Sequence, residues 1–266
     1  MIHTEEAIAE IYTRFTECNL FHKYNEYYGI DLVQSLKLEN RFKGFSWGLL
    51  YLYIRLLKNN EITDGDLKTA YYLEMFCLSS KILDDILDKD TEWLEIMDDN
   101  GLTLLFTELL MEAQAYFSTL PSHLKGLAYL QKSLKAEWLD VHQKATDPQM
   151  SEAYYQENIL PKTSAIVQFI CLLAGSAEDF PWFEFSLAFQ LSNDLKGLEN
   201  TKRSDVPYQR PTLPLILSHQ KGSESGLKEY CRFRIEEARM IGRDKLFCNF
   251  PSQKELVEAI MGLLPW

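Results

Sequence analysis

The stretch SSKILDDILDKD, Ser79 to Asp90, sets four carboxylates into a run of apolar residues with the spacing of a buried helix. The carboxylates belong to Asp84, Asp85, Asp88 and Asp90. On a helix, Asp84 and Asp88 lie one turn apart on the same face, and Asp85 flanks them. Like charges at this spacing repel, so the arrangement costs stability unless a cation binds there. Mg²⁺ prefers oxygen ligands and often binds through one or two carboxylates plus substrate phosphates, although a solvated acidic helix end would show the same pattern.

The rest of the chain also has the periodicity of helices. Segments such as LLFTELLMEAQAYF from Leu104 and YLQKSLKAEWLDV from Tyr129 repeat apolar residues every three or four positions. Convincing alternation with a period of two is absent from the sequence, and short breaks rich in Gly, Pro, Asn and Asp separate the helical segments. The pattern predicts roughly ten helices in an all-α fold. We expect a single large helical bundle over residues 1–266, with binding sites between facing helices.

Composition excludes several classes of protein. The chain has 266 residues, of which 46% are hydrophobic, and a net charge of −12, whereas a nucleic-acid-binding protein normally has a basic surface. The five cysteines show no CxxC spacing, which suits a reducing compartment, so we expect a cytoplasmic protein. The N-terminus MIHTEEAIAE lacks the basic and apolar regions of a signal peptide. No segment offers about 18 uninterrupted apolar residues, so we expect no transmembrane segment.

A second segment, FEFSLAFQLSNDLKGLEN, also places polar groups in the middle of an apolar helix. Gln190 and Asp194 are one turn apart, and Asn193 is next to Asp194. Alone, the segment fits an ordinary amphipathic helix. Together with the first acidic segment, it predicts two helices that face each other and hold a small metal cluster.

Candidate cations for an anionic substrate lie in two segments that contain proline. Lys162 enters a strongly apolar helix just after Pro161, where a lysine is more often a surface residue that extends its ammonium group to water. Arg203 and Arg210 lie on a predicted loop, and Lys202 precedes Arg203. Near a metal-bound diphosphate, Lys162, Lys202 and Arg210 would bind that anion.

These segments, in this order, resemble the motifs of the trans-isoprenyl diphosphate synthase superfamily. LSSKILDDILD is similar to its first aspartate-rich motif, PKTSAIV to its Lys-Thr segment, FQLSNDLKG to its second aspartate-rich motif and RPTLPLIL to its Lys-x-Thr-Leu-Pro segment. EWLDV, with Glu137 and Asp140, lies where the family has Gln-x-x-Asp. The resemblance implies an isoprenoid-synthase helical bundle that uses Mg²⁺ to ionise an allylic diphosphate, and by analogy a homodimer.

The resemblance also implies roles for single residues. Asp84 and Asp88 match the main metal ligands of the first motif, with Asp85 in support. Asn193 and Asp194 match the first two acids of the second motif, and Lys162 and Arg210 match diphosphate-binding lysines. The substrate pocket would include Ser79, Ser80, Phe189 and Gln190.

Departures from the family pattern concern the second substrate. Chain-elongating members bind isopentenyl diphosphate through a Gly-Gly-Lys-Arg segment and an Arg pair, but here those stretches read ENRFKGFSWG and KDTEWLEI. Arg41 and Lys43 are the nearest remnants, and Trp93 and Leu94 occupy the place of the Arg pair. The third acid of the second motif is replaced by Gly197. A second diphosphate would therefore meet too few cations.

This combination resembles the ComQ family, isoprenyltransferases that modify a tryptophan of a peptide pheromone precursor. The likeness includes the Ser-Ser-x-Ile-x-Asp-Asp pattern and the Arg-Ser-Asp sequence that ends at Asp205. It implies that a geranyl or farnesyl group passes from its diphosphate to an indole of a peptide acceptor. Three alternatives stay open: a short-chain prenyl diphosphate synthase, a class I terpene synthase and a noncatalytic partner subunit of a prenyl synthase.

Overall fold

The structure, a computed structural model, describes residues 4–88, 96–199, 205–221 and 226–264. Within these ranges the secondary structure is entirely helical, and no residue is in a strand. The α-helices are α1 (Thr4–Thr16), α2 (Asn19–Tyr28), α3 (Leu32–Ser35), α4 (Leu38–Gly44), α5 (Trp47–Asn59), α6 (Asp64–Asp88), α7 (Asp99–Ser118), α8 (His123–His142), α9 (Glu152–Tyr154), α10 (Pro161–Ala174), α11 (Trp182–Glu199), α12 (Leu213–Lys221), α13 (Leu227–Asn249) and α14 (Lys254–Gly262). A π-helical turn, Tyr155–Ile159, follows α9.

The predicted all-α class is confirmed, but the predicted number of helices is too low. The N-terminal region contains short helices separated at residues with left-handed backbone conformation: Gly29, at φ 65°, follows α2, and Lys37, at φ 51°, precedes α4. Such breaks are local turns within an apolar pattern that continues across them, so periodicity alone does not separate the helices. None of the described helices is long and apolar enough to cross a membrane.

The chain divides into two compact units, Met1–His123 and Leu124–Trp266. The first unit contains α1 to α7 and the first residue of α8, His123. The second unit contains the rest of α8 and the helices α9 to α14. A single domain over residues 1–266 therefore stays a prediction.

In the first unit, α6 packs against α5 and α7. Ser46 caps α5, because its hydroxyl accepts a hydrogen bond from the Leu49 amide at 2.9 Å. The buried Glu74 carboxylate on α6 accepts from the Ser46 hydroxyl at 2.5 Å and from the Gly48 amide at 2.8 Å. These contacts fix the helix that ends in the first acidic motif.

In the second unit, α11 packs against α10 and α13. A close approach joins α8 to α10, since a Cβ on Gly126 would lie 2.5 Å from the Phe169 ring. The Ser133 hydroxyl on α8 also donates to the Lys162 carbonyl at 2.7 Å. Glycine at position 126 therefore lets α8 approach α10 at Phe169, and the Ser133 hydrogen bond joins α8 to the start of α10 at Lys162.

The π-helical turn is fixed by the proline that follows it. Pro161 has no amide hydrogen, and the preceding amide of Leu160 donates to the Tyr155 carbonyl five residues earlier, at 2.8 Å. A π-helical turn inserts one extra residue into a helix and is frequent at functional sites. Here the turn places Tyr155, whose side chain is fully buried, inside the second unit.

Candidate functional site

At the end of α6, Asp84 and Asp85 share the ammonium group of Lys81. Lys81 Nζ lies 2.9 Å from Asp84 Oδ2 and 2.5 Å from Asp85 Oδ1. Asp85 is buried, whereas 31% of the Asp84 side chain is exposed. Asp88 is the last residue of α6, and its side chain lies outside the described part of the chain. Two of the three predicted carboxylates are therefore adjacent and bind one cation from their own helix.

The sequence analysis missed Lys81, although its spacing of three and four residues from the two aspartates was a usable signal. Burial alone would lower the pKa of Lys81, but the charges of Asp84 and Asp85 outweigh it and raise the pKa above its usual value. Lys81 is therefore a permanent positive charge within the motif.

The two serines predicted to line the substrate pocket both donate to one backbone carbonyl of their own helix. Ser79 Oγ lies 2.7 Å and Ser80 Oγ 3.0 Å from the Phe76 oxygen. Ser79 is fully buried and Ser80 is half-buried. Their hydroxyl groups therefore form their hydrogen bonds within α6.

In the second unit, Asp140 brings together two of the predicted diphosphate-binding residues. Lys162 Nζ lies 2.8 Å from Asp140 Oδ2, and Arg210 Nη1 donates to the Asp140 carbonyl at 3.3 Å. Asp140 and Arg210 are buried, and 20% of the Lys162 side chain is exposed. The third predicted cation, Lys202, lies outside the described residues. The structure therefore forms a compact cationic pair around one aspartate.

Asp194, predicted as a metal ligand, is the centre of a buried hydrogen-bond network. Its Oδ2 accepts from the Tyr155 hydroxyl at 2.8 Å and from the Leu213 amide at 3.1 Å, and its Oδ1 accepts from Gln190 Nε2 at 2.9 Å. Burial raises the pKa of Asp194 to about 6, against the opposing effects of Lys162 and of these hydrogen bonds. Burial, with the nearby Asp194 carboxylate, also raises the pKa of Tyr155 well above its usual value. The network joins α11 to the π-helical turn and to the start of α12.

Gln190 extends this network to α10. Its Oε1 accepts from the Thr163 hydroxyl at 2.5 Å while its Nε2 donates to Asp194. Phe189 and Asn193, the other predicted site residues of α11, are half-buried. Tyr155 and Thr163 were not predicted as site residues, since their contacts join segments that are far apart in the sequence.

The donor set of α6 fits Mg²⁺, whereas Asp194 does not. Asp84 has exposed carboxylate surface and already attracts an ammonium group, which is the behaviour expected of an oxygen ligand for a hard cation. Asp194 has both carboxylate oxygens engaged by protein donors and only 3% exposure. Among the residues that the structure describes, no group of three or more Asp, Glu, His or Cys side chains gathers around a common point. The first motif therefore offers a partial set of metal ligands.

Comparisons with known proteins agree with this fold. No protein-family model matches the chain. The tryptophan prenyltransferase ComQ of Bacillus spizizenii is 25% identical in an alignment 201 positions long that covers 69% of this chain and 70% of that protein. Heptaprenyl diphosphate synthase from Staphylococcus aureus superposes with a TM-score of 0.72 and 12% identity over 99% of each chain. A polyprenyl synthase from Caulobacter crescentus, in complex with calcium and isoprenyl diphosphate, superposes with a TM-score of 0.61 and 19% identity over 82% of each chain.

These similarities confirm the resemblance inferred from the motifs. The solved structures establish the fold, and the sequence relative adds a distant similarity over two thirds of the chain. The sequence relative ComQ and the heptaprenyl diphosphate synthase are both prenyltransferases, the enzyme class predicted from the sequence. The chain thus has the trans-isoprenyl diphosphate synthase fold and is a distant sequence relative of a tryptophan prenyltransferase.

Proposed function

We propose that the protein is a Mg²⁺-dependent isoprenyltransferase that moves a geranyl or farnesyl group from its diphosphate to a tryptophan of a short peptide. The fold and the ComQ relative support isoprenyl transfer. The peptide acceptor, the isoprenyl chain length and the metal are the parts of the proposal that experiment must test.

One contrast between the two sets of cations supports this function best. Lys162 and Arg210, the donor-site residues, are gathered at Asp140. Arg41 and Lys43, the remnants of an isopentenyl diphosphate site, interact instead with their own surroundings: Arg41 Nε donates to the Leu36 carbonyl at 2.9 Å, and Lys43 pairs with Glu39 at 2.6 Å. A neutral indole acceptor does not require these cations, whereas a second diphosphate does.

The side chains divide the work as follows. Lys162 and Arg210 bind the donor diphosphate through charged hydrogen bonds and orient its leaving group. Asp84 and Asp85, with Asp88, would hold Mg²⁺ through their carboxylate oxygens. Bound Mg²⁺ neutralises the charge that develops on the departing diphosphate.

Indole supplies the nucleophile, so no side chain of the protein needs to form a covalent bond. The indole C3 electron pair forms the new carbon–carbon bond to C1 of the allylic group as the C1–oxygen bond to diphosphate breaks. The diphosphate leaves with the electron pair of the broken C1–oxygen bond. The alkylated indole, which is left positively charged, then loses its N–H proton to the released diphosphate. The cations that surround it lower the barrier because they meet the charge where it develops.

We further propose that the enzyme works in the cytoplasm as a homodimer. All five cysteines lie in the described ranges and none of them forms a disulfide there, which suits a reducing compartment. One face of α8 exposes large apolar side chains at helical spacing: Leu124, Leu127, Leu134 and Trp138. A second copy of the chain would cover this face, and light scattering coupled to size-exclusion chromatography measures whether the protein is a dimer.

Mass spectrometry of the products tests the proposed reaction. The purified protein is incubated with Mg²⁺ and geranyl or farnesyl diphosphate, together with either isopentenyl diphosphate or a short tryptophan-containing peptide encoded beside its gene. We expect the peptide to gain the mass of one isoprenyl group and isopentenyl diphosphate to be condensed poorly. Rapid chain elongation with no mass gain on the peptide would assign the protein to the ordinary prenyl diphosphate synthases. Cyclised hydrocarbon without any acceptor would favour a terpene synthase.

A further inference from the structure

The second acidic motif lacks its third acid, because Gly197 occupies that position. Asn193 and Gly197 lie one helical turn apart on α11, so they share a face of the helix. Asp194, between them in sequence, has its carboxylate bound by Tyr155, Gln190 and the Leu213 amide. Asp194 therefore serves the interior of the unit, and the Asn193 face lacks a carboxylate of its own.

A carboxylate from a different part of the chain lies at the position where a side chain at residue 197 would begin. A Cβ on Gly197 would overlap Asp205 Oδ2 and lie 2.9 Å from Asp205 Cγ. Real Cβ atoms do not approach other atoms so closely, so any other residue at position 197 would displace the Asp205 carboxylate. The observed position of the Asp205 carboxylate therefore requires glycine at position 197.

The backbone of Asp205 is hydrogen-bonded to that of Arg210, one of the two proposed diphosphate-binding residues. The Arg210 amide donates to the Asp205 carbonyl at 2.9 Å, and Arg210 itself contacts Asp140 beside Lys162. Asp205 is half-buried. The segment from Asp205 to Arg210 therefore carries both an anionic group at α11 and a cationic group at Asp140.

We propose that Asp205 replaces the missing third acid and is a Mg²⁺ ligand, together with Asn193, in the altered second motif. Gly197 has the role of making room for this carboxylate, while Asp194 positions α11 and the Leu213 amide and does not bind the metal. The inference rests on the proposed Mg²⁺-dependent function and adds a ligand to it. A carboxylate at the position of Gly197 and an amide oxygen one helical turn away on α11 are oxygen donors of the kind that a hard divalent cation prefers.

Three variants of the full-length protein test whether the Asp205 carboxylate replaces the one missing at position 197; this replacement is called the exchange of carboxylates below. Asp205→Ala removes the ligand, Gly197→Ala displaces it by steric overlap, and Gly197→Asp combined with Asp205→Ala returns a carboxylate to α11 itself. Gly262→Ala is the matched control, since a Cβ at Gly262 meets no atom within 4 Å. The measurement is calorimetric titration with Mg²⁺ in the presence of inorganic diphosphate, and Mn²⁺ electron paramagnetic resonance then counts bound ions.

We expect Asp205→Ala and Gly197→Ala each to weaken metal binding by at least about tenfold, and the double variant to recover most of this loss. Asp194→Asn keeps the size of the side chain and most of its hydrogen bonds, so it should bind metal like the wild type. Circular dichroism verifies that each variant is folded. Wild-type metal affinity in folded Asp205→Ala would overturn the inference, and so would a double variant no better than Asp205→Ala.

These outcomes are independent of the acceptor. If metal binding follows the exchange of carboxylates but no isoprenyl group reaches a peptide, the inference stands and the proposed peptide acceptor fails. If the peptide is prenylated but folded Asp205→Ala binds metal normally, the proposed peptide acceptor stands and Asp205 is not a metal ligand.

Discussion

Replacement of Lys162 by glutamine tests the donor site most directly. The Lys162 ammonium group lies 2.8 Å from a buried Asp140 carboxylate, within the pair of cations that Asp140 gathers. Loss of one charged hydrogen bond to the donor diphosphate costs about 1.5–3 kcal/mol. The donor should therefore bind about 10- to 150-fold more weakly.

The same substitution also removes the charged partner of Asp140, so a loss of stability must be separated from a loss of binding. Lys245 offers a matched control, since its Nζ lies 2.6 Å from Glu184 Oε1 and only 14% of the Glu184 side chain is exposed. Lys245→Gln breaks an ion pair in the same unit without touching the proposed donor site. We expect it to leave donor affinity unchanged.

Calorimetric titration with a non-ionisable analogue of geranyl diphosphate, in Mg²⁺, measures donor affinity for both variants. Thermal unfolding of the same samples measures stability. If folded Lys162→Gln binds the analogue as tightly as the wild type, Lys162 has no role in donor binding. If Lys245→Gln weakens binding equally, the effect is one of stability.

Three further changes concern the first unit. Burial raises the pKa of Glu74 from 4.5 to about 7, so the folded state holds this proton more tightly than the unfolded chain and the free energy of unfolding falls as pH rises from 4.5 to 7. This decrease in the free energy of unfolding is on the order of 3 kcal/mol. Glu74→Gln should remove the decrease, which denaturant titrations at several pH values between 4.5 and 7 measure. If the variant keeps the same pH dependence, Glu74 is not its source. In EDTA, Lys81→Met should lower the free energy of unfolding by about 0.5–1 kcal/mol, because Asp84 and Asp85 then repel each other without a cation between them. Added Mg²⁺ should restore the stability of the variant in thermal melts. If Mg²⁺ changes the stability of variant and wild type equally, Lys81 and Mg²⁺ do not compete for these carboxylates. Asp84→Ala should abolish isoprenyl transfer and leave the far-ultraviolet circular dichroism unchanged, and a fully active variant would remove Asp84 from the metal site.

The sequence by itself determined what depends on neighbours along one helix. A period of three to four residues predicted the helices, and the same period predicted that Asp84 and Asp88 share a face of one helix, flanked by Asp85. Their partner Lys81 follows from the same rule, since residues three and four apart meet on any helix. Local spacing also identified Lys162 at the start of α10, directly after Pro161.

Only the tertiary structure decided what each of these groups does. Asp194 has the residue type and spacing of a metal ligand, but Tyr155, 39 residues earlier, and Leu213, 19 residues later, take up one of its carboxylate oxygens. Gly197 reads as a missing acid until the fold brings Asp205 against it. Such contacts depend on how helices pack and where loops return, and neither is encoded in the periodicity of a single segment. Burial then sets the chemistry, because a carboxylate removed from water must be hydrogen-bonded within the protein, and those bonds engage the oxygens that a metal would need.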